Sequence, residues 1–157
     1  MNRPTSMVDV LLDTTFMLPT VGIAVKEISD EDLLSLKQLS RRVRLHCSHV
    51  SFVELLGKVA KDRTGLDKPT VNLGIRSLVE SGTYRWVSPS SEALQKAFEL
   101  RTAGHKDNID NILYSVALDS KMLFLSLDKE LKDFLHERGY DTDLFVDIRG
   151  LGRRVSS

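Results

Sequence analysis

Short apolar segments alternate with amphipathic segments along most of this chain. Five of them predict strands, at residues 8–12, 43–47, 84–87, 122–127 and 144–146. Apolar runs of this length, set between helical patterns, are typical of parallel strands that are buried on both faces.

The amphipathic segments predict helices between these strands. A helical turn begins at Thr14 and is interrupted by Pro19 and Gly22. Longer helices are predicted to begin at Ser29 and to cover residues 52–61, 70–80, 92–103, 107–118 and 129–138. The alternation predicts a single three-layer α/β/α domain over residues 1–148, with a central parallel sheet and right-handed crossovers. Residues 149–157 are predicted to form a basic C-terminal tail.

Composition narrows the class of protein. The 157 residues contain 22 Lys and Arg and 22 Asp and Glu, and this balance argues against a protein that coats nucleic acid. No apolar stretch approaches the roughly 18 residues that span a bilayer, so we expect no membrane partner. No secretory signal is evident, and the single Cys47 cannot form an internal disulfide. We therefore expect a reducing, cytoplasmic location.

Acidic residues stand where apolar segments meet helices. Asp13 follows the first predicted strand and Asp128 follows the fourth, while Glu54 and Asp110 lie in the first turns of two helices, with Asp107 one turn earlier. Ligands of open parallel sheets bind beyond the carboxyl ends of the strands. The topology therefore predicts that these acids share one edge of the sheet.

Each acid also has a purely structural explanation. Asp13, Asp107 and Asp128 are suited to cap the helices that follow them. Glu54 either completes a capping box with Ser51 or pairs with Lys58 one turn later.

The recurrence of carboxylates nevertheless favours a metal site. Capping uses Ser, Thr, Asn or Asp with similar benefit, yet this chain has an acid at each of these positions. Crowded carboxylates repel one another unless a cation compensates them, and Mg²⁺ or Mn²⁺ takes oxygen ligands of this kind. Such a site supports hydrolysis of a phosphodiester.

A second cluster, formed by His46, Cys47 and His49, does not predict a zinc site. Neighbouring side chains on a strand point to opposite faces, and there is no second cysteine. Cys47 is expected to be a buried small apolar residue. His105 is expected to be a solvated loop residue, with orientation of a substrate as the alternative.

Four segments, in order, resemble the PIN domain, the nuclease fold of VapC toxins in toxin–antitoxin modules and of RNA-processing enzymes. They are Leu11-Leu12-Asp13-Thr14-Thr15, Val50-Ser51-Phe52-Val53-Glu54-Leu55, Asp110-Asn111-Ile112-Leu113-Tyr114-Ser115-Val116-Ala117 and Ser126-Leu127-Asp128. The last resembles the family's Thr-x-Asp, with Ser126 in place of the commoner threonine. The order and separation of the segments agree over nearly the whole chain.

The resemblance implies an endoribonuclease that depends on Mg²⁺ or Mn²⁺. Asp13, Asp110 and Asp128 would hold the metal and Glu54 its waters, and Asp107 would join the metal shell or only cap. Thr14 and Ser126 would be supporting hydroxyl groups.

The resemblance also implies an RNA substrate, a homodimer, and a small antitoxin that inserts a basic side chain among the acids. The apolar residues Phe16, Met17, Leu18 and Ile23 are predicted to lie near the dimer interface, with a place in the protein's own core as the alternative.

Two other functions remain open from the sequence. One is a non-catalytic PIN scaffold that binds RNA or a protein. The other is a phosphotransferase with Asp13 as nucleophile, which is disfavoured because Thr15 stands where such enzymes have a second aspartate.

Overall fold

The sheet is parallel throughout, and its central strand is the first in the sequence. A computed structural model describes residues 6–62 and 64–156. The strands are β1 (Val8–Leu12), β2 (Val43–Ser48), β3 (Tyr84–Val87), β4 (Leu123–Leu125) and β5 (Phe145–Val146). They lie in the order β3-β2-β1-β4-β5, and all neighbouring pairs are parallel. The predicted fold class is confirmed.

Helices connect the strands in the described ranges. They are α1 (Asp30–Gln38), α2 (Ser51–Lys61), α3 (Lys68–Glu80), α4 (Ser91–Thr102), α5 (Asn108–Asp119), α6 (Lys129–Glu137) and α7 (Ile148–Ser156). Two 3₁₀ helices cover Thr14–Val21 and Leu39–Arg41. The predicted start of α1 is confirmed, because the Asp32 amide donates to Ser29 Oγ at 3.1 Å and the Ser29 amide donates to Asp32 Oδ2 at 2.9 Å. None of the helices in the described residues is long and apolar enough to cross a membrane.

β1 is buried on both of its faces, as its apolar run predicts. Val10 and Leu12 belong to one hydrophobic core, together with the first 3₁₀ helix and α2. Leu11 points to a second core on the other face, which α5 and α6 cover. From β1 the chain adds β2 and β3 on one side of the sheet, and it then adds β4 and β5 on the other side. The order of strands therefore reverses at β1. A crevice at the carboxyl end of β1 is the expected ligand site in a sheet of this kind.

The first 3₁₀ helix is part of the core. Phe16, Met17 and Leu18 are at most 6% exposed, and Ile23 packs against the same cluster. The expectation that these residues form an exposed dimer surface is therefore wrong, and the alternative, that they cover the protein's own core, is confirmed.

The C-terminal segment is also helical. We predicted a basic tail at residues 149–157, but residues 148–156 form α7. Ile148 and Leu151 are buried in the core and Val155 packs against it, at the i, i+3, i+7 spacing of an apolar helical stripe. Two glycines and three arginines between these positions obscured the stripe in the sequence. The end of the domain at residue 148 remains a prediction, and residue 157 lies outside the described residues.

β4 is shorter than the predicted strand at residues 122–127. It ends at Leu125, although the Ser126 amide still donates to the Val146 carbonyl of β5 at 3.2 Å. The Ser126 hydroxyl then accepts from the Asp128 amide and Asp128 Oδ1 accepts from the Leu131 amide, so the chain turns into α6.

Candidate active site

Asp13 is a buried carboxylate at the end of the central strand. Its side chain is only 6% exposed and is held by two hydrogen bonds. The Thr14 amide donates to Oδ1 at 2.7 Å, and the Ser126 hydroxyl donates to Oδ2 at 2.7 Å. Asp13 thus caps the 3₁₀ helix, as the structural explanation predicted, and is also fixed by the residue that directly follows the neighbouring strand β4.

The surroundings of Asp13 disfavour its charge. Burial is the main cause that raises its pKa to about 6, and the negative charges of Glu54 and Asp128 raise it further. The hydrogen bonds from Ser126 and Thr14 oppose this rise. The carboxylate is therefore positioned for a cation, whose charge would offset the cost of burial.

Ser126 joins Asp13 to Asp128. Its Oγ donates to Asp13 and accepts a hydrogen bond from the Asp128 amide at 3.1 Å. Asp128 Oδ1 accepts from the Leu131 amide at 2.9 Å and so caps α6. The structural explanation therefore holds for Asp128 as well, but a cap uses only one of the two oxygens of the carboxylate.

Asp107 and Asp110 lie at the start of α5 and differ in environment. Asp107 is the helix cap, and its Oδ1 accepts from the Asp110 amide at 3.0 Å. The pKa of Asp110 is raised well above the usual range, first by burial, then by a hydrogen bond with Asp128 and by the charges of Asp107, Asp13 and Asp128. Burial and the neighbouring carboxylates therefore both disfavour the charge of Asp110 when no cation is present.

The loop before α5 is fixed by a histidine–asparagine pair. His105 Nδ1 lies 2.8 Å from Asn111 Oδ1, and Asn111 Nδ2 donates to the His105 carbonyl at 2.8 Å. The His105 ring also contacts Phe134, with 5.1 Å between ring centroids. His105 is therefore a structural residue that sets where α5 begins, and not the solvated residue that the sequence predicted.

Glu54 lies in the first turn of α2 without a capping role. Position 50 is the cap of this helix and makes no side-chain hydrogen bond to it, so the predicted capping box does not form. Glu54 Oε1 instead lies 2.8 Å from Lys58 Nζ, which confirms the pairing alternative. Three residues earlier, the buried Ser51 Oγ has no hydrogen-bond partner among the described residues.

The structure brings all five acids to one pocket. The pocket has a volume of about 590 Å³ and lies at the carboxyl edge of the sheet. It is lined by Asp13, Thr15, Glu27, Glu54, Lys58, Asp107, Asp110, Leu127 and Asp128, which we call the acidic pocket. Glu27, Thr15 and Lys58 were not predicted as site residues. Glu27 precedes α1 in a segment without regular periodicity, so no sequence signal marked it.

The residue types that line the acidic pocket suit a hard cation. The distances between their side chains do not yet suit one. Carboxylates are the ligands that Mg²⁺ and Mn²⁺ prefer, and Thr14 Oγ1 beside Asp13 is buried without a hydrogen bond to any described residue. Within the described residues, however, no three acid, histidine or cysteine side chains are grouped closely enough to form a ready metal site. Glu54 is engaged with Lys58 at 2.8 Å. The roles of Asp13, Glu54, Asp110 and Asp128 as ligands remain predictions.

The His46–Cys47–His49 cluster is dispersed. Cys47 is buried in the core, which raises the pKa of its thiol to about 12. His46 Nε2 lies 2.8 Å from Asp9 Oδ1, and the His49 ring lies against Trp86.

Comparison with known proteins identifies the fold. No protein-family model matches the sequence, and no curated protein matches it significantly. Solved structures do match, and three of them have 15–17% sequence identity to this chain. VapBC2 from Rickettsia felis, bound to a DNA fragment from its promoter, has a TM-score of 0.61 over 81% of this chain and 93% of its own. The sarcin–ricin loop cleaving toxin VapC20 from Mycobacterium tuberculosis has a TM-score of 0.56 over 84% and 96%.

FitAcB from Neisseria gonorrhoeae has a TM-score of 0.52 over 76% of this chain and 87% of its own. The similarity therefore covers most of each chain, and it lies in the backbone and not in the sequence. The chain has the PIN-like α/β/α fold of the VapC type.

Proposed function

We propose that this protein is an endoribonuclease that depends on Mg²⁺ or Mn²⁺. The observation that carries the proposal is the buried Asp13, held by Ser126 in a pocket with five further carboxylates. A fold without catalysis gains nothing from this arrangement, because burial and like charges destabilise the ionised side chain. The solved structure of VapC20, a toxin that cleaves the sarcin–ricin loop, gives further support through its shared fold.

The roles of the acids follow from their positions. Asp13, Asp110 and Asp128 would hold the cation, and Asp107 would act mainly as the cap of α5. The bound cation would polarise a phosphoryl oxygen and lower the pKa of a water molecule. Thr14 and Ser126 keep Asp13 in one orientation, so its free lone pairs face the pocket at no further cost in side-chain entropy.

Glu54 and Lys58 have a second role in this proposal. The pair lines the pocket on the α2 side, opposite Asp128 on the α6 side. When a cation relieves the repulsion in the pocket, Glu54 is available to orient water, and Lys58 is available to bind the phosphate. Lys58 would exchange one anionic partner for another, which keeps its reorganisation small.

The decisive experiment is cleavage of RNA with and without metal. Wild type should cleave single-stranded RNA with Mg²⁺ or Mn²⁺ and lose this activity in EDTA, and Asp13→Asn should be inactive. Asp133→Asn is the matched control, since Asp133 is exposed on α6 and does not line the acidic pocket. Equal activity of wild type and Asp13→Asn would refute the proposal, as would metal-independent cleavage. RNA binding without any cleavage would favour the scaffold instead.

We further propose that the protein is the toxin of a toxin–antitoxin module. The VapBC2 and FitAcB structures are of proteins with the same fold, and a basic side chain from an antitoxin would fit among the acids. Expression of wild type should then arrest growth of a bacterial host, and Asp13→Asn should not. Arrest by both variants would point to a toxic effect without nuclease activity.

A homodimer remains part of the proposal, with exposed apolar side chains in place of the buried residues that were predicted. Exposed apolar side chains lie on three consecutive helices: Val53 and Leu56 on α2, Leu73 and Val79 on α3, and Leu94 and Phe98 on α4. Exposed apolar side chains in such number favour association. Light scattering at tens of micromolar should give the mass of a dimer, and the mass of a monomer would contradict it.

A further inference from the structure

The acidic pocket continues into a groove between α6 and α7. Leu127 and Asp128 line both the acidic pocket and a first cleft of about 230 Å³. That cleft shares Lys132 and the segment 145–147 with a second cleft of about 350 Å³. We call the two clefts together the basic groove. It is an open path from Asp128 to the C-terminal helix.

The groove concentrates positive charge in a chain whose net charge is zero. Lys129 and Lys132 line it from α6, and Arg153 lines it from α7. None of these three forms an ion pair with a residue in the described ranges. Unpaired cations that line one concave surface attract anions more strongly than scattered cations do.

The charges on α6 are separated by helix face. Lys129, Lys132 and His136 follow one another at i, i+3 and i+7. Glu130, Asp133 and Glu137 occupy the neighbouring face with the same spacing. Lys129 and Lys132 line the groove, whereas the three acids of α6 line neither cleft.

The polar groups of the groove floor are already engaged within the protein. Asp147 Oδ1 accepts a hydrogen bond from the Gly150 amide at 2.6 Å. The Arg154 guanidinium donates to the Asp143 carbonyl at 2.6 Å. The lysines and Arg153 are therefore the groups that an incoming anion would meet.

We infer that the basic groove binds the phosphate backbone of single-stranded RNA on one side of the cleaved bond. The inference rests on the proposed nuclease function and explains how that function is feasible. The acidic pocket by itself repels a polyanion, so the substrate needs a positive surface next to it. An RNA strand that crosses the acidic pocket has its next phosphates at Lys129 and Lys132. An acidic protein segment would match the groove equally well but has no reason to continue into the acidic pocket.

The test measures RNA binding apart from cleavage. A fluorescent oligoribonucleotide of mixed sequence is titrated with Asp13→Asn protein in EDTA, at several salt concentrations. Lys132→Gln and Arg153→Gln, each added to this background, should weaken binding about threefold to fivefold. Each should also reduce the slope of log affinity against log salt by about 0.7, the value for one lost phosphate contact on a single strand. Both side chains are exposed, so the variants should fold normally.

Lys68→Gln is the matched control. Lys68 is an exposed lysine at the start of α3. The helix α3 lies near the β3 edge of the sheet, because the Trp86 indole of β3 donates to the Leu78 carbonyl of α3. The groove helices α6 and α7 lie near the other edge. The affinity and the salt slope of the Lys68→Gln variant should equal those of the Asp13→Asn protein from which it is made. An equal loss in all three variants would overturn the inference, because it would show only an effect of net charge. Competition by polyglutamate as strong as that by RNA would also overturn it, in favour of an acidic protein.

A second measurement separates this inference from the proposed function. In the otherwise wild-type protein with Mg²⁺, Lys132→Gln should raise KM for RNA and leave kcat unchanged, since it removes a contact made equally before and during the reaction. Cleavage with an unaltered KM would refute the groove and leave the nuclease intact. RNA binding that depends on Lys132 and Arg153, without any cleavage, would refute the nuclease and leave the groove intact.

Discussion

Ser126 donates a hydrogen bond to Asp13 across 113 positions of sequence, and the 2.7 Å contact ties the ends of two adjacent parallel strands together. The same hydroxyl accepts from the Asp128 amide. One small side chain therefore sets the positions of two of the acids to which we assign metal binding.

Ser126→Ala tests this link. Loss of the hydroxyl leaves Asp13 Oδ2 buried with one partner fewer, so the free energy of unfolding should fall by about 1–3 kcal/mol. Cleavage should fall as well, because Asp13 is no longer held in one orientation. Ser126→Thr keeps the hydroxyl and should retain both stability and activity. Equal loss in both variants would show that the site is sensitive to packing and not to this hydrogen bond.

Asp13→Asn should abolish cleavage and stabilise the metal-free protein. The neutral amide removes a buried charge from among like charges, and Asn still accepts the hydrogen bond from the Thr14 amide. We expect the melting temperature in EDTA at about pH 8 to rise by about 2–6 °C. Differential scanning calorimetry measures this, with Asp133→Asn as the control that should change neither property. A large loss of stability would mean that Asp13 serves mainly the fold.

The metal-free protein should become less stable as the pH rises from about 5 to about 8. The folded-state pKa of Asp13, about 6, lies above its ordinary value of 3.8, so between these two pH values the folded state holds a proton that the unfolded state has lost. The stability that this proton contributes is complete below about pH 4 and is lost as the pH passes the folded pKa. Asp110, with its pKa raised further, extends the loss to higher pH.

Chemical denaturation in EDTA at several pH values tests this trend. The carboxylates with lowered pKa, such as Asp9, remain ionised throughout this range and do not contribute to the slope. Asp13→Asn should flatten the slope, and added Mg²⁺ should restore stability at high pH more than at low pH. If Asp13→Asn left the dependence of the free energy of unfolding on pH unchanged, groups other than Asp13 would be responsible for it.

Gly74→Ala should destabilise the protein and damage the site at a distance. An added Cβ would lie 2.4 Å from the Thr20 carbonyl oxygen and 2.7 Å from Val21 Cα, so α3 and the first 3₁₀ helix would have to separate. We expect the free energy of unfolding to fall by about 1–3 kcal/mol. Cleavage should also decrease, because that 3₁₀ helix begins at Thr14, beside Asp13.

Gly57→Ala is the matched control for this prediction. Gly57 lies in α2, and its added Cβ would meet nothing within 4 Å. The substitution should stabilise the protein by about 0.5–1 kcal/mol through helix propensity alone. If both variants were equally stable, the close approach at Gly74 would not be a real constraint.

The sequence alone determined the strands and the edge of the sheet at which the acids lie. Apolar runs buried on both faces have a strong local signature, and Asp13 follows one of them directly. Parallel topology then places the acids at one edge, whatever the details of packing. The resemblance to PIN domains used the same residues, and the fold that it implied is the one found.

Tertiary structure decided the properties that depend on contacts between distant segments. The burial of Phe16 and Met17 depends on α2 and α3 covering the first 3₁₀ helix, and α7 forms because Leu151 finds a place in the core. Glu54 turns to Lys58 and not to a capping box because the backbone at Val50 is already helical. The basic groove exists only because α7 returns beside α6. Local sequence encodes the period of a helix, but the neighbours of its faces are set by the packing of the whole chain.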